Sequence, residues 1–352
     1  MTLEEKIHRH EAFWRGEGPS LILIPGPEPA GSVNYAQQSA DPRLMWEYEV
    51  NRARAVIDWP TDGIPTARPN LGVVFIPAIA GQNYRLRDGQ MPWPGEPLTE
   101  EAIRAVCDVD VSRSEMMGRA ATFYACHRES GEHNVIAYHP DTQGVFDIAH
   151  MLYGKGIFYD VIDDARGHWV HELLDTCLDL YIRVSRHLKQ LLDQSSTTMI
   201  HGHATAQGVY LPHAGVRVSE DTATLFSPRT IEEVIMPYVE RAAMPFGGAF
   251  AHFCGRCEFL FEQLCRSSWI RAIDLQHGMH DPRWLLERCA ESRTVLYSRI
   301  EAQDGETWPD YTRRLAGLVK ETGARCVLRP TVYPAHREEC AAMRDLWHEF
   351  TA

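Results

Sequence analysis

The chain has 352 residues, 44% of them hydrophobic and 24% charged, with 48 acidic against 35 basic side chains and a formal charge of −13. Such a composition can bury a large core, so disorder is excluded, and the acidity argues against nucleic acid or an anionic membrane as the main partner. No apolar run approaches the roughly 18 residues of a membrane span, and the charged, amphipathic start does not read as a secretory signal, so a cytoplasmic protein is expected.

Short apolar runs bounded by Gly, Pro or polar residues predict strands at Leu21–Ile24, Val73–Ile76, Val135–Tyr138, Thr198–His201, Ala249–His252, Arg271–Leu275, Thr294–Tyr297 and Cys326–Leu328. Helical patterns lie between them. From Asp164 to Leu192, apolar Trp169, Leu173, Leu174, Cys177 and Leu180 recur near a period of 3.6. A second helix is expected to start at Pro228, with Ser227 as N-cap and Glu232 and Glu233 after it. Pro282 after Asp281 and Pro309 in Trp308-Pro309-Asp310 mark two more starts. Eight strands separated by helices predict an α/β fold, a (β/α)8 barrel spanning 1–352 as one domain with an N-terminal helical extension. A doubly wound sheet is the weaker alternative, because no GxGxxG follows a first strand.

In a barrel the C-terminal strand ends face the active site. Those ends carry His139, His201-Gly202-His203, His252-Phe253-Cys254, Gln276-His277, Arg299 to Glu301 and Arg329. In Ala251-His252-Phe253-Cys254-Gly255, His252 and Cys254 are two positions apart at a strand end, so both side chains leave the same face. Imidazole and thiolate together suit Zn2+, at about 2.0 and 2.3 Å. A third ligand must come from another strand end or from Cys257. The nine cysteines, odd in number and irregularly spaced, read as buried thiols or ligands rather than a disulfide framework.

The order Ser219-Glu220-Asp221, Ser227-Pro228, Pro237-Tyr238 and His252-Phe253-Cys254-Gly255 resembles the uroporphyrinogen decarboxylase superfamily, most closely its corrinoid-dependent methyltransferase branch. Upstream, His139 to Gly144 and Phe158 to Asp164 are similar to a further region of that branch. The resemblance implies one (β/α)8 barrel that binds zinc through His252 and Cys254. It also implies methyl transfer between a small thiol, methoxy or methylamine compound and a corrinoid carried on a separate protein, and a homodimer. The branch supplies a third cysteine after the last strand, where this chain has Val332. Asp274, His277, Glu301 and Cys257 therefore compete for the third position. The decarboxylase itself fits less well, since the stretch Ile22 to Glu28 lacks the arginines that hold its substrate's carboxylates.

Other residues take supporting roles in this reading. His277, with an unperturbed pKa near 6.5, is a candidate for acid–base work. Asp221 would accept a hydrogen bond from substrate or from a metal-bound histidine. His201 and His203 would contact substrate, Arg299 and Arg329 could clamp an anion, and Trp93 in its Pro-rich loop could approach a ligand. Two other functions remain open: a metal-dependent lyase or hydrolase using His201, His203 and His252, and a non-catalytic accessory barrel.

Overall fold

The computed structural model describes residues 1–28, 34–86, 90–275 and 277–352, with only the backbone of His277. Among them the strands are β1 (Leu21–Ile22), β2 (Ile64–Ala67), β3 (Tyr84–Arg85), β4 (Trp93–Pro94), β5 (Ile136–Ala137), β6 (Thr198–His201), β7 (Gln207–Pro212), β8 (Val216–Ser219), β9 (Ala249–Phe253), β10 (Ile270–Leu275), β11 (Val295–Ser298) and β12 (Cys326–Leu328). A six-stranded sheet runs β1-β12-β11-β10-β9-β8, every pair parallel. A second sheet runs β5-β2-β7-β6, in which β2 and β5 are parallel while β7 is antiparallel to both its neighbours. The fold is thus mixed α/β with an extended parallel sheet. Among the described residues, no helix is long and apolar enough to cross a membrane.

Alternation along the strands sorts their side chains into two cores. Ile22, Ala251, Phe253, Ile273, Leu296 and Leu328 pack with the helices in the larger one. Leu21, Phe250, Ala272, Val295, Tyr297 and Val327 turn to the opposite face, where Phe13 joins them. Phe13 arrives on the helix Leu3–Trp14, which opens with a capping box: Glu5 N–H donates to Thr2 Oγ1 at 3.2 Å and Thr2 N–H donates to Glu5 Oε2 at 2.7 Å. Lys6 and His10 of this helix are buried, and Lys6 Nζ donates to the Gly63 carbonyl at 2.8 Å. The two sheets are tied through Asp62, whose N–H donates to Ile22 O at 3.0 Å while its Oδ2 accepts Ile22 N–H at 2.9 Å.

Several expected elements shift. Val73–Ile76 is not a strand: Phe75–Ile79 forms a short helix with no side-chain cap. A uniformly apolar run has no period to separate the two states. The strand in this part of the chain is β2, whose Pro65 argues against it in sequence yet sits where β2 meets β7. The long helix is Gly167–Leu191, within the expected range. The segment after Pro228 is less regular than expected: Ser227 caps the turn Pro228–Thr230, a π-helical stretch covers Ile231–Ile235, and α-helix resumes at Met236–Ala243. Pro282–Ser292 and Trp308–Thr322 begin where their proline signals put them.

Candidate metal centre

β8, β9 and β10 lie side by side, and their register sets Ser219 and Asp274 opposite His252. His252 shares its face with Phe250 and Asp274 shares its face with Ala272, so imidazole and carboxylate emerge together above the smaller core. His252 Nδ1 is 2.9 Å from Asp274 Oδ2, and its Nε2 is 3.3 Å from Cys254 Sγ and 3.6 Å from Asp221 Oδ1. The Cys254 N–H donates to Asp221 Oδ1 at 2.6 Å. On the far side of Asp274, His203 Nε2 stands 3.0 Å from the same Oδ2.

Two groups of donors capable of holding a metal ion therefore share one imidazole: Asp221, His252 and Cys254 outside, and His203, His252 and Asp274 inside. Their spacings differ. Bonds of 2.0–2.3 Å to a tetrahedral ion put ligand atoms about 3.3–3.7 Å apart, a range that includes the outer pairs His252–Cys254 at 3.3 Å, also a hydrogen-bond contact, and His252–Asp221 at 3.6 Å. The inner contacts, at 2.9 and 3.0 Å, are hydrogen-bond distances. Asp274 is fully buried and Cys254 is exposed. Burial opposes protonation of His252, but the hydrogen bonds to Asp274 and Cys254 and the Asp274 charge outweigh it and raise its pKa to about 9. For His203, burial together with the charges of His252 and Arg217 pushes the imidazole well below the usual histidine range.

The inner face continues as a row of aromatic rings. His203 lies 4.6 Å from His252 and 5.7 Å from His201, and His201 stacks on His139 at 5.2 Å. His201 is 1% exposed, and among the described residues neither of its ring nitrogens has a hydrogen-bond partner. Burial lowers it well below the ordinary range and lowers His139 to about 3. His203 is delivered by a strained turn: it and Ala204 both adopt left-handed backbone, with φ of 43° and 62°. Ala204 N–H is held there by Tyr138 Oη at 3.1 Å.

The remaining sequence candidates fall in other places. Arg299 and Arg329, with Arg52, line a cleft of about 640 Å3 that includes solvent-open space. The Arg329 guanidinium lies 5.6 Å from the Tyr297 ring centre, and that ring is 6.3 Å from His203, so the cleft adjoins the centre. Glu301 is exposed beside the turn His277–Met279 and belongs to neither donor group. Cys257 precedes the helix Glu258–Arg266, also outside both groups. Trp93 is 54% exposed on β4, paired with Arg85 of β3. The His277 side chain and Gln276 lie outside the described residues.

Two buried carboxylates lie behind the centre; in the sequence Glu220 stands out only as part of Ser219-Glu220-Asp221, with no role of its own, and Asp147 does not stand out at all. Glu220 follows β8 and Asp147 lies in the helix Val145–Tyr153. Burial and the Asp221 charge raise Asp147 to about 7, while burial and the Asp147 charge raise Glu220 well above the carboxylate range. Neither belongs to a run or a spacing that marks a ligand; their signal is the pairing itself, which needs coordinates. No family model matches the sequence, and no curated protein matches it. Among solved structures the chain is similar to a methyltransferase from Methanosarcina mazei, with a TM-score of 0.67, 14% identity and 100% coverage of each chain. At that identity the likeness is one of fold.

Proposed function

We propose that the chain is a zinc-dependent methyltransferase built as a single closed (β/α)8 barrel of the uroporphyrinogen decarboxylase kind, exchanging methyl between a small substrate and a corrinoid protein. The observation that carries this reading is the outer donor set. Cys254 Sγ, His252 Nε2 and an Asp221 carboxylate oxygen are the element types zinc takes, and the imidazole nitrogen stands 3.3 Å from the thiol and 3.6 Å from the carboxylate. Asp221 takes the place of the terminal cysteine that this chain lacks.

Zinc at these three ligands would favour the deprotonated form of an acceptor bound at its open position. The chain's own groups do the rest. Asp274 accepts the His252 Nδ1 proton and so fixes the tautomer that leaves Nε2 for the metal, as a carboxylate behind a ligating histidine does. His203 contacts the same Asp274 oxygen. Exposed Cys254 leaves the ion reachable by a methyl carrier on another chain. The cleft with Arg299 and Arg329 is where an anionic end of the substrate would lie. The structural likeness to a methyltransferase supports the fold that this reading requires.

The test is metal content by mass spectrometry, together with demethylation of methylcobalamin. The expected result is about one zinc per chain, lost in Cys254→Ser and Asp221→Asn. The buried inner set favours a second reading, a metal-dependent lyase or hydrolase that needs no corrinoid. Metal retained in Cys254→Ser but lost in His203→Asn would replace the first reading by the second. No metal in either variant or in the zinc-reconstituted parent would end both and leave the accessory role.

A further inference from the structure

Between the helix Val145–Tyr153 and the loop after β8, two buried carboxylates hold each other's backbone. Glu220 accepts the Phe146 and Asp147 N–H groups at 3.3 and 3.1 Å, donors that the first turn of a helix leaves without partners. Asp147 in return accepts the Asp221 and Thr222 N–H groups, both at 2.8 Å. His150 Nδ1 adds a contact of 3.1 Å to Thr222 Oγ1. The interlock is close-packed: a Cβ on Gly144 would fall 2.4 Å from Glu220 Oε1 and 2.6 Å from Ser219 O.

The interlock continues into the candidate centre by two paths. The Glu220 N–H donates to the His252 carbonyl at 2.9 Å. The Asp221 side chain, whose own N–H is held by Asp147, accepts the Cys254 N–H. We propose that Asp147 and Glu220 are positioning residues for the metal centre, setting the place of Asp221 and through it the turn that presents Cys254. This rests on the outer donor set being the metal site. Neither carboxylate touches the ion or the substrate. Each fixes backbone whose side chains do, and loss of such support typically weakens metal binding about 10- to 100-fold.

The experiment has a metal-free arm and a cobalt arm, using the full chain with Asp147→Asn and Glu220→Gln. Each amide keeps the size of the acid but offers one acceptor where two N–H groups need one each. In chelator-treated protein, amide hydrogen exchange should quicken in peptides covering 219–224 and also in those covering 250–256. Asp62→Asn, which loosens the tie between the sheets, serves as the destabilised control and should leave 250–256 unchanged. In the cobalt arm the variants should bind Co2+ about 10- to 100-fold more weakly, with an altered d–d spectrum. Faster exchange confined to 219–224, or wild-type Co2+ affinity and spectrum in both folded variants, overturns the proposal. Coupled exchange without Co2+ binding by the parent chain would overturn the metal reading and leave a lock with no site to position.

Discussion

The two sides of the centre are built in opposite ways. On one side, β8, β9 and β10 run parallel and in register, and each contributes by simple alternation, so His252 and Asp274 are neighbours because their strands are. On the other, β6 and β7 form an antiparallel hairpin, and His203 reaches Asp274 only through two successive left-handed residues. The parallel side joins His252 to Asp274 and Cys254 by hydrogen bonds, although Ser219 Oγ at the end of β8 has no partner among the described residues. The hairpin side buries His201 with both nitrogens unpartnered among the described residues and stores strain at His203 and Ala204. Backbone strain and an unpartnered buried imidazole beside the candidate centre are costs of the kind expected where stability was given up for function.

The strongest way to break this contrast is His252→Ala. Because both donor sets share that imidazole, it should abolish tight metal binding altogether, whereas His201→Ala should leave it; equal metal content in the two variants would remove the distinction. Next, Gly144→Ala should destabilise the parallel side by more than about 2 kcal/mol through the overlap with Glu220 and Ser219, measured by urea denaturation. Wild-type stability there would mean the interlock has slack.

A pH test concerns His10, which fastens the N-terminal helix to the hairpin. Tyr210 N–H donates to its Nδ1 at 3.0 Å and its Nε2 lies 2.9 Å from Asp62 O. Burial lowers its pKa to about 4. Below the unfolded-state value near 6.5 the unfolded chain takes up a proton that the folded chain refuses, so stability falls as pH drops from 6.5 towards 4. His10→Gln lacks this contribution, and between pH 6.5 and 5 it should lose about 1.5 kcal/mol less than the parent. Parallel stability profiles for the two would contradict it. The smallest effects belong to the strained side. His201→Phe should stabilise by about 1 kcal/mol by removing unsatisfied nitrogens while lowering turnover, and Ala204→Gly should gain about 0.5–1 kcal/mol. Unchanged turnover in His201→Phe would make that histidine mere filling.

The same contrast explains what the sequence exposed. His252 and Cys254 stand out because a strand repeats every two residues, so a two-residue spacing is already a statement about geometry. The strands β9 to β12 are apolar and bounded, and were legible for that reason. β7 was not: Gln207 and Gly208 break any apolar run, and the strand exists because β2 and β6 flank it. β2 was hidden by Pro65, and the helix Phe75–Ile79 by a run with no polar face. Asp274 and Asp221 could be named as candidates, but only the register decides that one backs His252 while the other stands beside Cys254. Asp147 and Glu220 act on backbone N–H groups, which every residue but proline carries, so even the motif Ser219-Glu220-Asp221 does not announce what Glu220 holds.

The interlock also has a consequence for how the protein is made. Its bonds join residues 73 to 75 positions apart, and each buried carboxylate is tolerable only when the other segment's N–H groups have arrived. The closure entropy of that long loop must be met before any of the four bonds rewards it, so this part of the frame completes late and all at once. A metal ion that meets the chain earlier finds only the strand end bearing His252 and Cys254. The third donor comes with the finished fold, so under the proposed zinc reading the order of folding and metal loading would bear on which ion the outer set takes.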